Sequence, residues 1–565
     1  MHNYRLYYKK LSRWHDPEQV FLALYADKKY TFWLDNKDFS YMGIASKRIK
    51  YSISNHTLSI SDNNKTQKLR QNIFTYLQKE LLSWKGVASV GAPSMREVPL
   101  GEIPVERPQP PLRRSQSPWG GSEDVGLGKR ETGPLFNFTG GFVGYFGYEM
   151  KAECDCLSLR GGQSRRSNPV KNCKTQRDCH AHPLSGFARN DKKKPDAYLF
   201  FVDKFLAFDH RQKCLYLVAL SENKKEADQW FSATTINLSN LTSNFSTFDF
   251  RLSTFDSPLA FTPSQSRQQY LKNIRTCQKY LIQGDAYQIC LTNQITANIK
   301  TNWFTLYRTL RVTNPAPASA YINFGNFALI SSSPEQFLKI DKKGWVTGKP
   351  MKGTIRRGST PKEDRLLAKN LGKTEKDYAE NIMIVDLIRN DLGKICEFGS
   401  IKVTKPLEVQ TYATVHQLVS TIKGKLRSGI TVIDLLQAAF PGGSMTGAPK
   451  IAACEIIAEL EKTPRGIYSG TFGFLSLNGT ANLAMTIRTI IADKDKLSFG
   501  AGGAILTDSV PQEEYDEMLL KAQPLMEAII KSNPVGAIPC GRPGGPYRIR
   551  TDDLSHAMRT LYQLS

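Results

Sequence analysis

The chain has 565 residues, of which 40% are hydrophobic and 23% are charged, and its formal net charge is +24. This composition is typical of a soluble globular protein and excludes a wholly disordered, collagen-like or membrane-embedded chain. No stretch reaches the roughly 20 apolar residues of a transmembrane helix, and the first residues lack the apolar core of a secretory signal. We therefore expect a cytoplasmic protein without a membrane partner.

The positive charge raises the question of a nucleic-acid partner, because Lys and Arg side chains release counterions when they bind phosphates. Two stretches, 1–84 and 151–200, supply more than half of the excess charge and look peripheral. We expect solvated basic surface there and no nucleic-acid partner. A mild positive charge also suits a small dianionic substrate.

The amino-terminal segment, residues 1–84, is predicted to be rich in β-sheet. Apolar and polar residues alternate over 20–34 and 41–60, which is typical of half-buried strands, and a helix is predicted over 66–84. Residues 85–135 are rich in Pro, Gly and Ser, so burial cannot offset the entropy of ordering them. This stretch is predicted to be a linker or an insertion.

The fold is predicted to resume at 136–151, where aromatic residues alternate with glycines as in a tightly packed strand and turn. A basic insertion is predicted at 152–196, followed by strands and a polar bridge at 197–263. The residues around this insertion that could ligate zinc by type are Cys154, Cys156, Cys173, Cys179, His180 and His182. Their spacing matches no common zinc module, so we favour ordinary reduced cysteines.

The sharpest patterning lies in residues 264–531. Helices are predicted over 267–283, 362–392, 430–439, 449–461 and 511–531. Strands are predicted over 287–297, 319–324, 327–332, 335–340, 470–477, 483–492 and 496–506. Strands and helices without regular alternation favour an α+β fold. The tail, 532–565, is expected to lie outside the fold.

Two carboxylate pairs occur on predicted helices. Asp377 and Glu380 are three residues apart, as are Glu514 and Glu517, so each pair shares a helix face, and Lys521 follows one turn after Glu517. Carboxylates without a neighbouring histidine would form an oxygen-only site, which suits magnesium rather than zinc. Acidic pairs on helices are more often solvated surface, so the pattern alone leaves both interpretations open.

Three glycine-rich turns and two basic residues are further candidates. The turns at 440–450, 468–474 and 499–505 can bring backbone N–H groups close to an anion, although each is also explained as a tight turn. Arg488 lies among apolar neighbours and needs a partner anion if it points inward. Lys352 could be a covalent nucleophile if burial keeps its amine neutral, but a loop lysine is more often a surface charge.

The chain resembles the chorismate-utilising enzymes in a series of motifs that occur in the order of that family. The motifs are SSSPEQF, KPMKGT, AENIMIVDLIRND, HQLVS, FPGGSMTGAPK, AMTIRT, AGGA and EEYDEMLLKA. The resemblance is strong over 264–531 and weaker over 20–84, 136–152 and 197–215. It implies that 264–531 is the chorismate-binding catalytic domain. It implies an α+β fold like that of anthranilate synthase component I, in which large antiparallel β-sheets pack as a sandwich with helices outside.

The resemblance also implies a magnesium site and a substrate pocket. Glu380 and Glu517 are the expected Mg2+ ligands, supported by Asp377 and Glu514, and the ion would hold the ring carboxylate of chorismate and help the 4-hydroxyl leave. Arg488 and Tyr468 are expected to contact the enolpyruvyl carboxylate. The remaining pocket is expected to be lined by Ser444, Lys521 and the backbone of Gly502, Gly503 and Ala504.

Two positions distinguish the branches of the family. Relatives that add water carry a lysine base where this chain has Gln288, and anthranilate synthases usually have a small residue where it has Lys352. The motif around Lys352 resembles the aminodeoxychorismate branch, in which the lysine adds at C2 while the 4-hydroxyl departs and ammonia then attacks C4. Glu335 resembles the acid/base carboxylate that assists this step.

The implied reaction is the amination of chorismate to 4-amino-4-deoxychorismate, a precursor of p-aminobenzoate and folate. No segment resembles a glutamine amidotransferase, so ammonia is expected from a separate glutaminase subunit. Anthranilate synthesis is the alternative reaction within the family. A non-catalytic anion-binding or regulatory protein is the alternative from another class.

Three positions depart from the family pattern. Gln417 stands where many relatives have the histidine of H-L-V-S, and His416 lies one position earlier. Ala504 replaces a frequent glycine, which should narrow the pocket slightly. Asn36, in WLDN, replaces a usual serine in a segment that binds tryptophan in relatives, so tryptophan binding is left open.

Overall fold

The computed structural model describes residues 4–11, 13–62, 65–84, 136–154, 194–241, 260–371, 375–412 and 415–533. The helices within these residues are α1 (Pro17–Leu24), α2 (Ile73–Ser83), α3 (Lys224–Ser239), α4 (Arg267–Ile282), α5 (Trp303–Thr313), α6 (Pro361–Asn370), α7 (Glu375–Gly393), α8 (Val432–Ala439), α9 (Lys450–Glu461) and α10 (Pro511–Lys531).

The strands, in chain order, are β1 (Arg5–Leu11), β2 (Thr31–Asp35), β3 (Phe39–Ile44), β4 (Lys47–Ser52), β5 (Thr57–Ser61), β6 (Thr66–Arg70), β7 (Gly141–Phe146), β8 (Ala197–Val202), β9 (Lys204–Asp209), β10 (Cys214–Ser221), β11 (Phe261–Pro263), β12 (Gln288–Asn298), β13 (Ala318–Asn323), β14 (Ala328–Ser333), β15 (Gln336–Ile340), β16 (Trp345–Gly348), β17 (Met351–Arg356), β18 (Lys402–Thr411), β19 (Val415–Lys425), β20 (Gly447–Ala448), β21 (Thr471–Ser476), β22 (Ala481–Met485), β23 (Thr489–Asp493) and β24 (Lys496–Ile505).

These strands form two antiparallel sheets. The first has the order β1-β10-β9-β3-β2-β13-β14-β23-β24-β12-β11, with β20 paired to β12. The second has the order β17-β19-β16-β15-β22-β21-β7-β8-β4-β5-β6, with β18 paired to β19. Each sheet contains strands from both the amino-terminal segment and the carboxy-terminal half. The two patterned regions of the sequence therefore build one fold together.

Buried side chains form three layers around the sheets. Between the sheets lie mostly aromatic residues, such as Tyr41 of the first sheet, whose ring centroid is 5.7 Å from that of Phe474 of the second. Outside the first sheet, α1, α3, α4, α5, α9 and α10 contribute to a second layer. Outside the second sheet, α2, α7 and α8 contribute to a third. The expected α+β sandwich with outer helices is confirmed.

Several element predictions were wrong in detail. Residues 17–24 form α1 rather than a strand, because the Asp16 side chain accepts hydrogen bonds from the backbone of Glu18 and Gln19 and so caps a helix start. The predicted helix at 66–84 is strand β6 followed by α2, and the helix predicted at 362–392 is divided into α6 and α7. Helix α5 and strands β16 to β19 were not predicted.

Other expectations lie mainly outside the described residues. These include the insertion at 85–135, nearly all of the one at 152–196, and the tail after residue 533. Cys154 is described, and its buried thiol donates to the carbonyl of Met150 at 3.4 Å. The other five residues of the zinc alternative are not among those described. No helix in the described ranges combines the length and apolar character needed to cross a membrane.

Candidate active site

Lys352 enters the site from β17, at a point where the strand is irregular. The pairing with β19 shifts register between Lys352 and Thr354, and Gly353 between them has φ +70°. The Lys352 side chain is only 11% exposed, and its Nζ lies 3.5 Å from Oε2 of Glu380 on α7. Lys352, which the sequence pattern placed in a loop, is thus a buried ammonium group that faces a carboxylate.

The charge state of Lys352 corrects one expectation. Burial alone would lower the pKa of this amine, but the carboxylates of Glu380, Glu335 and Glu517, together with Cys290, outweigh it, so the pKa is raised. Burial therefore does not keep the amine neutral in the free protein. Lys352 must give up a proton before it can act as a nucleophile.

Glu335 lies between β14 and β15, and only 6% of its surface is exposed. Burial raises the pKa of its carboxyl to about 7, although a hydrogen bond with Ser444 and the charge of Lys352 both oppose the rise. Ser444 comes from the short turn at Gly443–Met445, and both side chains line a small cavity with Pro350. A carboxyl with this pKa can both accept and release a proton near neutral pH.

Helix α10 directs three side chains at strand β24. A β-carbon placed on Gly503 would lie 3.2 Å from Oε2 of Glu514, 3.8 Å from Nζ of Lys521 and 3.9 Å from Oε1 of Glu517. Lys521 also contacts Glu517 at 2.5 Å and donates to the carbonyl of Gly502 at 3.0 Å. The glycine at position 503 leaves open the space toward which these charged groups point.

The predicted magnesium ligands therefore approach from two sides. Glu514 and Glu517 meet beside Gly503, Glu380 of α7 lies 3.5 Å from the Lys352 ammonium, and the charge of Glu517 also acts on Lys352. Asp377 belongs to α7, but its side chain is not among those described. Within the described part of the chain, no three potential ligands already share one coordination point. The donors present are carboxylates beside a cation, which fits a magnesium site by chemistry.

Arg488 and Tyr468 lie close enough for the charge of each to affect the pKa of the other. Arg488 sits between β22 and β23 in the left-handed region, with φ +49°, which breaks the single strand predicted there. Burial lowers the pKa of its guanidinium to about 10, so the group stays charged at neutral pH. Among the described residues it has no carboxylate partner. A buried guanidinium of this kind requires an anion, which a substrate carboxylate can supply.

The ring of Tyr468 lies against the backbone of β24. A β-carbon at Gly500 would be 2.3 Å from Cδ1 of this ring, so only glycine leaves room for it. Burial raises the pKa of the Tyr468 hydroxyl, which therefore remains a neutral hydrogen-bond donor. Gln288 begins β12, is 1% exposed, and its Oε1 accepts no hydrogen bond from any described residue. The Tyr468 hydroxyl and the Gln288 amide can therefore both form a hydrogen bond with a ligand.

Arg465 is a residue that the sequence analysis missed. It is 5% exposed, and its five N–H groups are all engaged. It donates to both carboxylate oxygens of Glu461, at 2.7 and 2.6 Å, to the carbonyls of Met445 and Cys290, at 2.6 and 2.8 Å, and to the hydroxyl of Ser469, at 3.3 Å. One feature of the sequence could have indicated it: Glu461 and Arg465 are residues of opposite charge, four positions apart, just before the YSG turn at 468–470.

The contacts of Arg465 tie three pieces of the pocket together. Met445 follows Ser444, Ser469 follows Tyr468, and Cys290 is two residues from Gln288. Met445, Ser469 and Cys290 thus each lie within two residues of a predicted substrate-binding side chain. Arg465 holds these pieces in place without itself being a predicted substrate contact.

Two of the departures from the family pattern have structural explanations. His416 is 1% exposed, and its ring nitrogens lie 2.9 Å from Asp364 of α6 and 2.9 Å from the hydroxyl of Thr411. It therefore anchors α6 to the second sheet. Asn36 accepts hydrogen bonds from the backbone of Asp38 and Phe39, at 3.0 Å each, as a turn residue.

The chain is similar to known proteins of one family. The sequence pattern of the family described as chorismate binding enzyme matches residues 173–527. An aminodeoxychorismate synthase of Arabidopsis thaliana chloroplasts is 36% identical over 91% of this chain and 52% of its own length. One from Streptomyces pristinaespiralis is 34% identical over 93% of this chain and 65% of its own length. The chain thus spans about half to two thirds of these relatives.

Anthranilate synthases are also similar. Component 1 from Acetivibrio thermocellus is 35% identical over 70% of this chain and 76% of its own length. The crystal structure of component I from Streptococcus pneumoniae TIGR4 superposes with a TM-score of 0.64 at 26% identity, covering 86% of this chain and 92% of that one. The motifs, the fold and these matches together establish that the chain belongs to the family of chorismate binding enzymes.

Proposed function

We propose that this chain aminates chorismate at C4 and produces 4-amino-4-deoxychorismate. The observation that carries the proposal is Lys352, a buried amine placed beside Glu380 and within the electrostatic reach of Glu335. A small residue at this position would offer no nucleophile. The relatives from Arabidopsis and Streptomyces named aminodeoxychorismate synthase support the same branch.

The two carboxylates of chorismate would be held at opposite walls of the pocket. The guanidinium of Arg488 and the hydroxyl of Tyr468 would bind the enolpyruvyl carboxylate, because Arg488 is a buried cation that needs an anion. The ring would lie over the backbone of Gly502 and Gly503. The polar groups of Ser444, Lys521 and Gln288 would then complete the pocket.

The carboxylates of Glu380 and Glu517 would hold Mg2+, with Asp377 and Glu514 in support. When bound, the ion would neutralise the ring carboxylate of chorismate and help the 4-hydroxyl leave. Oxygen-only donors suit this cation, which usually keeps few protein ligands and takes the rest from substrate and water. Among the described side chains, Glu380 lies beside Lys352, and Glu514 and Glu517 lie beside Gly503.

Protons would move between Lys352, Glu335 and the substrate. Ionised Glu335 would take a proton from the Lys352 ammonium, and the neutral amine would then form a bond to C2. As the ring double bonds shift, the C4–O bond breaks, and Glu335 returns its proton to the hydroxyl, which leaves as water. Ammonia then attacks C4, the bond from Lys352 to C2 breaks, and a proton of the new ammonium returns to Lys352.

Ammonia would come from a separate glutaminase subunit. A relative from Klebsiella aerogenes that is named aminodeoxychorismate synthase component 1 supports an enzyme of more than one component; this chain covers 78% of it at 34% identity. Free ammonium salt should replace this partner in vitro, because only the ammonia itself takes part in the attack on C4.

Mass spectrometry of the products provides the direct test. The purified chain would be incubated with chorismate, Mg2+ and excess ammonium salt at mildly alkaline pH, where part of the ammonium is free ammonia. An aminated product that retains its enolpyruvyl group supports the proposal. Anthranilate as the product would instead assign the chain to the anthranilate synthase branch, and unchanged chorismate would contradict catalysis with free ammonia.

A further inference from the structure

The second sheet carries a row of lysines, and within the described part of the chain Lys402 and Lys423 of this row are exposed. Strand register places Val143, Phe474, Asn482, Lys339, Thr347, Lys423 and Lys402 opposite one another on successive strands from β7 to β18. Val143 and Phe474 belong to the buried layer between the two sheets. Directly opposite residues share a face, so the lysines lie on this same face beyond the edge of the sandwich.

The surrounding charges are also positive. Lys349 is half-buried next to this row, and burial together with the nearby charges of Lys339, Lys405 and Lys423 lowers the pKa of its amine. The one carboxylate in this cluster, Glu408, contacts Lys405 at 2.8 Å. We define the lysine face as Lys339, Lys349, Lys402, Lys405 and Lys423.

Glu408 compensates one of the five positive charges of the lysine face. Across the described part of the chain, Lys339, Lys402 and Lys423 have no carboxylate within ion-pair distance. Lys402 and Lys423 are directly opposite each other on adjacent strands, an arrangement that destabilises a sheet when both residues carry the same charge. An external anion placed over the row would remove this repulsion.

We propose that the lysine face is a docking surface for an acidic segment of another polypeptide. Charge complementarity sets the chemistry of the partner. The stretches of this chain outside the described residues cannot supply it, because none of the four longer ones exceeds a single net negative charge.

A protein partner is favoured over nucleic acid by the residue types. The cations of the lysine face are all lysines, whereas the guanidinium of arginine is favoured where phosphates are recognised. Trp345, which precedes Thr347 by two residues on β16 and so points to the same side, is 38% exposed. An exposed tryptophan at the border of a charged patch is typical of protein interfaces.

The test measures binding of a defined acidic probe to the full chain. A short fluorescein-labelled peptide of alternating Glu and Ser would be titrated with the protein at low ionic strength, and its anisotropy recorded. The triple variant K339Q/K402Q/K423Q should weaken binding by about tenfold or more. A matched variant with the same net charge, K225Q/K272Q/K300Q, changes exposed lysines elsewhere and should stay within about twofold of the wild type.

Three results would overturn the proposal. Equal loss of affinity in both triple variants would show attraction to overall positive charge and no defined surface. Unchanged affinity in K339Q/K402Q/K423Q would place the peptide elsewhere. Tighter binding of a single-stranded DNA oligonucleotide than of the peptide, abolished by the same variant, would assign the lysine face to nucleic acid. A melting temperature of K339Q/K402Q/K423Q at or above the wild-type value would support the role of charge repulsion and confirm that the variant is folded.

Discussion

Lys352 is the side chain on which the proposed chemistry depends. Replacing it by alanine removes the only amine that the described residues place beside both Glu380 and Glu335. We expect K352A to lower kcat for amination at C4 by at least about a hundredfold, while KM for chorismate changes much less. Product formation from chorismate and ammonium salt would measure the effect.

The matched control for this variant is K349A. Lys349 lies three positions earlier and belongs to the lysine face, so its loss should leave kcat within about twofold of the wild type. Wild-type turnover by K352A would refute covalent participation of the lysine, whatever the behaviour of the control.

The raised pKa of Glu335 leads to a separate prediction about the stability of the folded chain. Burial raises the pKa of its carboxyl from 4.5 to about 7. Between these two pH values the carboxyl is protonated in the folded chain but ionised in the unfolded chain. Stability should therefore fall as pH rises from about 5 to 8, by up to ~3 kcal/mol from this residue. Glutamine cannot ionise, so E335Q should remove this part of the pH dependence.

Urea unfolding of the wild type and E335Q at several pH values would measure the difference. Glu222 is exposed, so E222Q provides a control whose pH dependence should match that of the wild type. Parallel pH profiles for E335Q and the wild type would show that Glu335 ionises without penalty in the folded protein.

The elements of the pocket depend on Arg465 for their relative placement. Lysine retains the positive charge but cannot reach Met445, Cys290 and Ser469 together, so R465K leaves buried carbonyls without donors. We expect a loss of about 2–4 kcal/mol in unfolding free energy and a fall in kcat/KM for chorismate.

An exposed pair provides the comparison for R465K. Arg356 contacts Glu363 at 2.6 Å with 66% of its side chain exposed, so R356K should cost less than about 1 kcal/mol. Denaturant unfolding and steady-state kinetics would be measured on both variants. Equal, small losses of stability would mean that the carbonyl contacts of Arg465 contribute little.

At the scale of the whole molecule, the site joins the two sheets. Helix α7, which carries Glu380, packs on β17 and β19 of the second sheet, and α10, which carries Glu517, packs on β24 of the first. A cation bound to both glutamates should stabilise the folded chain by about 2.7 kcal/mol at a concentration of 100 times its Kd. Thermal unfolding with increasing Mg2+ would show this as a rising melting temperature.

E380Q and E517Q should each abolish that rise, because each removes one negatively charged oxygen ligand. E513Q changes an exposed glutamate of α10 and should retain the response. If E380Q and E517Q kept the full Mg2+-dependent shift, the ion would be bound elsewhere. This test reads metal binding directly and does not depend on the proposed reaction.

Features that depend on residues close together in the sequence, such as helix positions, could largely be predicted. Helices α4, α9 and α10 matched their periodicity within a residue or two, and the spacing of Glu514, Glu517 and Lys521 correctly predicted a shared face. The motifs around Lys352 and Arg488 also pointed to two side chains that the structure buries.

Features set by tertiary contacts could not be predicted in this way. The raised pKa of Lys352 depends on Glu380, which is distant in sequence, whereas burial alone would lower this pKa. Arg465 is important because of the carbonyls it reaches, and no periodicity predicts those contacts. Residues 66–70 have the composition of a helix but pair with β5, so a cross-strand partner overrode local propensity.

The order of strands in the first sheet has a consequence for biosynthesis. Strands β23 and β24 lie between β14 and β12, although both of those strands precede them by more than a hundred residues in the chain. The ribosome therefore synthesises β12 and β14 long before β23 and β24. Until then, the edges of β12 and β14 that pair with these strands stay unpaired. Contacts so distant in sequence also slow folding. We expect the nascent chain to need protection from aggregation until translation has passed residue 505.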